Sequence, residues 1–277
     1  MDKSSIVRKS LITGFIYTLV TCIVQVPVSN LISSVFNLKS DSSISSEQLP
    51  FLLLTIFIVG LSIAVFYYFF GHLFKSNKKI NTGLKFASFV YFANYIPQVF
   101  FLDANKGLNG LLNGGLAVFQ VEFYDLLILF VTVLIMVQYM PFKTPDSDIE
   151  KQKFSYKDIV VGIIFATVLI ILSEVVLPVF GFKNMADGLN VASENKLFFY
   201  VVMSIGFILT GSLVSYYSRL ENNKLFCIVF DILIWAVFDL TMIPLGYGLA
   251  ATFLFIIISI IAFLIIGFII KKLCILK

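Results

Sequence analysis

The sequence predicts an all-α membrane protein with eight transmembrane helices, arranged as two parallel four-helix repeats with both termini in the cytoplasm. Three observations lead to this fold class: an apolar composition, long apolar runs, and an uneven distribution of basic residues between the connecting segments. Of the 277 residues, 59% are hydrophobic and only 13% are charged, with a mean hydropathy of +0.99. Soluble domains are about 45–50% apolar and about 25% charged.

The eight predicted spans are apolar runs of about 18 residues or more, which is the length that crosses a bilayer. In chain order they are 11–34, 51–73, 83–102, 116–139, 159–180, 197–217, 225–245 and 249–270.

Basic residues support this number of helices. With a cytoplasmic N-terminus, the inner segments hold 16 of the 20 Lys and Arg residues, and the outer loops hold only Lys39, Lys106, Lys183 and Lys196. This bias follows the positive-inside rule. We therefore expect a multi-pass protein of the cell membrane. Its net charge of +4 marks topology beside anionic lipid headgroups, so no nucleic-acid partner is expected.

An internal duplication is predicted from matching segments. Gly14 and Gly162 occupy equivalent positions in "KSLITGFIYTLV" and "KDIVVGIIFATV", at an offset of 148, and Ile96-Pro97 matches Ile243-Pro244 at an offset of 147. Four helices per copy insert both copies from the same side, which gives a parallel repeat. We expect a first repeat at 1–139, a cytoplasmic linker at 140–158 and a second repeat at 159–277. Chance similarity between apolar helices is the alternative.

The candidate functional residues are polar side chains inside the predicted spans. Ionisable groups within a membrane are costly, and they normally face the bundle interior or a hydrated cavity. The set comprises Glu122, Asp125, Glu174, Asp231, Asp239, Gln25, Asn94 and Gln98. Most of them fall in the outer half of the membrane, which predicts an acidic cavity that opens outward, with Asp231 as its deepest member.

Such a cavity favours a cation or a small amine as its ligand. The alternative is that each acid stays protonated and hydrogen-bonds a neighbouring helix. Pro97 and Pro244 are candidate helix breaks, because proline frees backbone carbonyls that protein or water must satisfy. A plain helix terminus is the alternative for both.

Several kinds of chemistry lack their usual residues. The chain has one His and three scattered Cys, so we expect no metal site, no catalytic residues and no cofactor. It also lacks a P-loop motif.

The stretch "GHLFKSNKKINTGLKFASFVYFANYIP", residues 71–97, resembles the middle of Yip1-type membrane domains through His72, Phe89, Tyr91 and Pro97. The resemblance covers about a tenth of the chain. It implies a non-enzymatic role in membrane organisation or trafficking, and it identifies no active site. Two classes of function follow for the whole chain. The first is a cation-linked transporter or permease. The second is a non-catalytic scaffold, exporter accessory subunit or immunity protein that binds a membrane protein partner. An intramembrane enzyme has the least support.

Overall fold

The computed structural model describes residues 3–36, 48–97, 115–143, 153–188, 191–221, 225–240 and 249–275. Within them, the side chains at 25–36, 115–123, 221, 251 and 273–275 are not described. These ranges contain helices and short connections and no β-strand.

Eight helices of six or more residues organise the described residues. They are α1 (Lys3–Phe36), α2 (Leu49–Phe70), α3 (Lys79–Val90), α4 (Gly115–Tyr139), α5 (Tyr156–Ile171), α6 (Lys196–Glu221), α7 (Leu225–Phe230) and α8 (Leu249–Ile275). Three of them run into a π-helical turn: α3 into Tyr91–Tyr95, α5 into Leu172–Val176 and α7 into Asp231–Trp235. Helical structure then resumes at Leu177–Val179 and at Ala236–Asp239. Shorter pieces are the 3₁₀ turns Gly71–Phe74 and Ser193–Asn195, and the one-turn helix Met185–Gly188.

Among the described residues, five helical stretches are long and apolar enough to cross a membrane. They are Lys3–Val24, Leu49–Phe74, Tyr156–Val179, Ser193–Leu220 and Thr252–Lys272. They overlap the first, second, fifth, sixth and eighth predicted spans. The all-α prediction is confirmed for the described residues, and the length and apolarity of these stretches support a membrane-embedded protein. A shorter apolar helix, Tyr124–Tyr139, lies within the fourth predicted span. The total of eight spans and the inner location of the termini stay predictions.

Apolar side chains are exposed along single helix faces, as expected of surfaces that meet lipid. On α1, Phe15 and Leu19 are 68% and 59% exposed at a spacing of one helical turn. On α6, Leu197 and Ile205 are 77% and 63% exposed and lie two turns apart. Extended apolar surface of this kind is rare on soluble monomers.

The chain divides into two compact units. Unit 1 comprises Met1–Tyr91, Phe119–Ser147 and Leu233–Gly248, and unit 2 comprises Phe92–Val118, Asp148–Ile232 and Leu249–Lys277. Two of the boundaries between the units fall inside the π turns that follow α3 and α7. The sequence-derived boundaries at 139 and 159 follow the repeat and are not tested by this division.

Unit 1 is built on the pairing of α1 with α2. Its core is aromatic: the Phe74 ring lies 5.3 Å from those of Phe86 and Phe89 of α3. The end of α4 is held by polar contacts, since Thr13 and Tyr139 share a hydrogen bond of 2.8 Å and Lys143 N–H donates to Tyr68 O at 2.7 Å.

Unit 2 is built on the pairing of α5 with α6, against which α8 packs. Phe165 of α5 and Phe263 of α8 form its central ring contact, with centroids 4.6 Å apart. The helices approach closely because glycines lie at the crossing: a Cβ on Gly211 would lie 2.9 Å from the Cα of Gly162.

Candidate functional site

The predicted polar residues are divided between the two units. Asp125 and Asp239 lie in unit 1, and Asn94, Glu174 and Asp231 lie in unit 2. Asn94 and Asp231 are completely buried, Asp239 is almost so, and Asp125 and Glu174 are half-buried. The polar side chains therefore avoid the exposed apolar faces.

The side chains of four predicted residues lie outside the described part of the structure. Gln25 and Glu122 lie in α1 and α4, but their side chains are outside the described part of the structure. Gln98 and Pro244 lie outside the described residues altogether. Their contribution to a site stays a prediction.

Asp231 is joined to α8 by a hydrogen bond within unit 2. Its Oδ1 lies 2.9 Å from the hydroxyl of Ser259. The same hydroxyl lies 2.9 Å from the carbonyl of Ile256, one turn earlier in α8. The second carboxyl oxygen, Oδ2, is buried and has no hydrogen-bond partner among the described residues. Asp231 thus has one satisfied oxygen and one open oxygen.

Glu174 lies beside Tyr200 of α6. Its Oε1 is buried and has no hydrogen-bond partner among the described residues. The π turn that carries Glu174 also packs against α8, the helix of Ser259. Pro178 follows one turn later and has no N–H to bond the backbone carbonyl of Glu174.

The N–H that Pro97 lacks is replaced by a hydrogen bond from α6. Proline cannot donate to the carbonyl four residues earlier, here that of Ala93. The Thr210 hydroxyl of α6 donates to this carbonyl at 2.8 Å, so the freed group is satisfied by protein. Close approach is possible because Gly206 lies opposite Pro97: a Cβ there would lie 3.1 Å from the Cα of Pro97. Asn94 follows Ala93 in the same π turn.

In unit 1, Asp239 ends the helical piece Ala236–Asp239, which packs against α2. Trp235 just before it is 1% exposed, so the chain's single Trp fills the core instead of facing lipid. Asp125 lies near the start of the described side chains of α4.

One charged pair was missed by the sequence analysis. Asp158, assigned above to the end of the linker, is completely buried in the first turn of α5. The Arg219 guanidinium of α6 donates to both carboxyl oxygens, from Nε to Oδ1 at 2.8 Å and from Nη2 to Oδ2. Ser215 donates to the same carboxylate at 2.9 Å, and Arg219 also donates to Lys153 O at 3.3 Å.

A local signal could have located half of this pair. Ser155 immediately precedes α5, and Asp158 follows three residues later, which is the spacing of a capping box. The Asp158 carboxylate indeed accepts the Ser155 N–H at 2.9 Å. The partner Arg219 lies 61 residues away and has no local signal.

Outside the membrane-spanning helices, one acid pairs with a predicted outer-loop lysine. Lys196 donates to Asp187 at 2.7 Å, and this hydrogen bond holds the pKa of the Asp187 carboxyl below its ordinary value. Both side chains are exposed. An exposed pair contributes little to stability, so substitution of Asp187 is a suitable control for substitution of a buried acid.

Comparisons of the chain with protein-family models, with curated proteins and with solved structures gave no match.

Proposed function

We propose that this protein is a cation-linked transporter or permease whose acidic cavity opens to the outside. One observation carries the proposal. Each of the three π turns in the described residues contains a predicted polar site residue: Asn94, Glu174 or Asp231.

A π turn inserts one extra residue into a helix and disturbs the regular bonding of backbone carbonyls. Such turns are rare and occur frequently at functional sites. In a membrane, polar side chains and irregular backbone at one place are tolerated where they are buried in protein or line a cavity. The coincidence at three places favours a binding function over neutral packing.

The finer topology belongs to the same proposal. We place eight spans in the membrane with both termini inside, because the 16-to-4 distribution of basic residues requires an even number of spans in this register. The segment 37–48 is then an outer loop and the segment 140–158 an inner one.

Two matching glycine crossings support a duplication. In unit 1, a Cβ on Gly60 would lie 3.1 Å from the Cα of Gly14. In unit 2, a Cβ on Gly211 would lie 2.9 Å from the Cα of Gly162. Gly14 and Gly162 are the pair that the sequence repeat aligns. The backbone oxygens of Phe57 and Ile208 face Gly14 and Gly162, and these two residues are related by an offset of 151. The same offset relates the opposing glycines, Gly60 and Gly211.

The π turns of α3 and α7 support the duplication in the third helix of each half. They begin at Tyr91 and Asp231, an offset of 140. In this register Tyr95 and Trp235 are both 1% exposed, and Phe92 and Ile232 are 45% and 48% exposed.

This register changes the counterpart of Asp231. The offset of 147 from the proline match sets Asp231 against Leu84, whereas the π turns set it against Tyr91. Both registers leave Asp231 without an acidic counterpart. The proposed site is therefore asymmetric at the position of Asp231.

Transport is tested with the purified full-length protein in lipid vesicles that contain a pH-sensitive dye. A pH gradient is imposed, and Na⁺, K⁺ or choline, a permanently charged amine, is added outside. We expect a cation-dependent change of internal pH with wild-type protein. Asp231→Asn should reduce it to the rate of empty vesicles, because the exchanging carboxyl is gone.

The matched control is Asp187→Asn, which removes an exposed acid outside the spans and should retain the flux. Protein orientation is read from a Ser42→Cys variant labelled with a membrane-impermeant maleimide. In intact cells the same labelling tests the outer location of the 37–48 loop. Flux that equals empty vesicles for all three cations would reject cation-linked exchange of these ions.

The second candidate is a non-catalytic membrane scaffold, accessory subunit or immunity protein, as the Yip1-like stretch implies. It is favoured by the 2.9 Å hydrogen bond between Ser259 of α8 and Asp231, since polar bonds between helices also stabilise membrane bundles. In that case Asp231→Asn leaves function unchanged, and a partner protein co-purifies with both forms.

A further inference from the structure

We infer that Asp231 binds an exchangeable proton on Oδ1, and that this proton is the coupling ion of the proposed transport. The coupling role rests on the proposed function, whereas the proton on Asp231 does not. The number of protons available to the contacts of Ser259 favours a protonated Asp231.

A serine hydroxyl has one proton to donate. The Ser259 hydroxyl has two acceptors at hydrogen-bonding distance, Ile256 O and Asp231 Oδ1, both at 2.9 Å. If Asp231 is ionised, Ser259 can fully satisfy only one of them. If Asp231 is protonated, its Oδ1–H donates to Ser259 Oγ, and Ser259 donates to Ile256 O. The neutral acid therefore gives each short contact its own proton.

The surroundings of Asp231 also favour the neutral acid. Asp231 is fully buried, and an ionised carboxylate in such a place is costly unless it is paired. Phe230 precedes it and packs edge-on against Phe263 of α8, with centroids 5.8 Å apart. The hydrogen-bond partner supplied by α8 is the neutral Ser259.

Two titratable groups in the described surroundings of α7, Tyr217 and Cys227, carry no charge in their ordinary state. From α6, Tyr217 stacks on Phe226 at a centroid distance of 6.3 Å. On α7 itself, the Cys227 thiol is hydrogen-bonded to Ser218 of α6. A phenol and a thiol both ordinarily stay protonated at neutral pH.

A metal cation fits the described geometry less well than a proton. Hard metal ions take several oxygen ligands at once. The described oxygens near Asp231 instead contact one another in sequence: the carboxyl contacts the Ser259 hydroxyl, and the Ser259 hydroxyl contacts Ile256 O. Oδ2 stays open as an acceptor. When a cationic substrate reaches Oδ2, Oδ1 releases its proton to water in the proposed cavity, and the Ser259 hydroxyl turns from Ile256 O to the carboxylate. One positive charge replaces another, and the buried site never holds an unpaired negative charge.

The proton is tested by infrared spectroscopy of the purified full-length protein in detergent at neutral pH. We expect a carbonyl stretching band of a protonated carboxylic acid that disappears in Asp231→Asn. It should persist in Asp187→Asn. Ser259→Ala should shift the band to higher frequency, because the acid loses the oxygen to which it donates. Persistence of the whole protonated-carboxyl band in Asp231→Asn would overturn the assignment.

The vesicle assay separates the two parts of the inference. A band without cation-dependent flux keeps the proton on Asp231 and rejects its coupling role. Flux without the band keeps transport and rejects the proton on Asp231. A folding defect in Asp231→Asn is recognised by its elution profile, and Ser259→Ala then supplies the independent readout.

Discussion

Asp158 shows what a single charged side chain needs inside this protein. Its carboxylate accepts from the Arg219 guanidinium, from Ser215 and from the Ser155 backbone. A buried ion pair is supported when additional hydrogen bonds satisfy the remaining donors and acceptors. Here those bonds join the first turn of α5 to the last turns of α6.

Removal of Arg219 should therefore be costly. We expect Arg219→Ala to lower the free energy of unfolding by roughly 3–5 kcal/mol, because an uncompensated charge stays buried. Arg219→Lys should lose less, since it keeps the charge but not the two-pronged geometry. Thermal unfolding in detergent measures both. Arg8→Ala, which truncates an exposed Arg, is the control and should change stability by less than about 0.5 kcal/mol. Equal melting temperatures for Arg219→Ala and wild type would refute a stabilising role for this pair.

At the scale of single residues, sequence reasoning predicted that acids avoid lipid but not which groups they meet. Asp231 and Glu174 are indeed turned toward other helices. Ser259 lies 28 residues from Asp231, and Tyr200 lies in the helix after Glu174. Serine and tyrosine are common in apolar helices, so nothing in the pattern distinguishes these two from the others.

At the scale of helices, apolar length predicted where most elements lie, and it did not predict the π turns. One extra residue in a turn leaves the composition of an apolar helix unchanged, so periodicity has no signal for it. Pro97 and Pro178 do mark the neighbourhood of two of the turns. The turn at Asp231–Trp235 has no proline at the equivalent position, two residues after its end.

The glycine crossings give a prediction at this scale. A Cβ on Gly60 meets Tyr17 Cβ, and one on Gly211 meets Phe165 Cβ, 2.8 Å away. We expect Gly60→Ala and Gly211→Ala each to destabilise the protein by about 1–3 kcal/mol, because neither helix pair has room for a methyl group. Unfolding in detergent is the measurement. Gly188→Ala, where a Cβ meets nothing within 4 Å, should be neutral. A stable Gly60→Ala beside an unstable Gly211→Ala would argue against equivalent crossings.

At the scale of the molecule, the two units do not coincide with the two halves of the chain. Unit 1 takes Leu233–Gly248 from the second half, and unit 2 takes Phe92–Val118 from the first. In each case the borrowed segment begins inside the π turn that follows the third helix of the predicted repeat. The sequence match could suggest four helices per repeat, but it could not reveal this exchange, which depends on contacts between distant segments.

The exchange predicts how the chain responds to division in the predicted linker. A cut after Ser147 gives fragments 1–147 and 148–277, and each lacks a segment of the unit to which most of it belongs. We expect each fragment alone to accumulate poorly, and both to co-purify through a tag on one of them when they are expressed together. Fusing residues 225–248 to the end of fragment 1–147 through a flexible linker should restore its accumulation, because unit 1 is then complete. Fragment 1–147 that is monodisperse on its own, with a melting temperature equal to that of the fused form, would show that unit 1 does not depend on the borrowed segment.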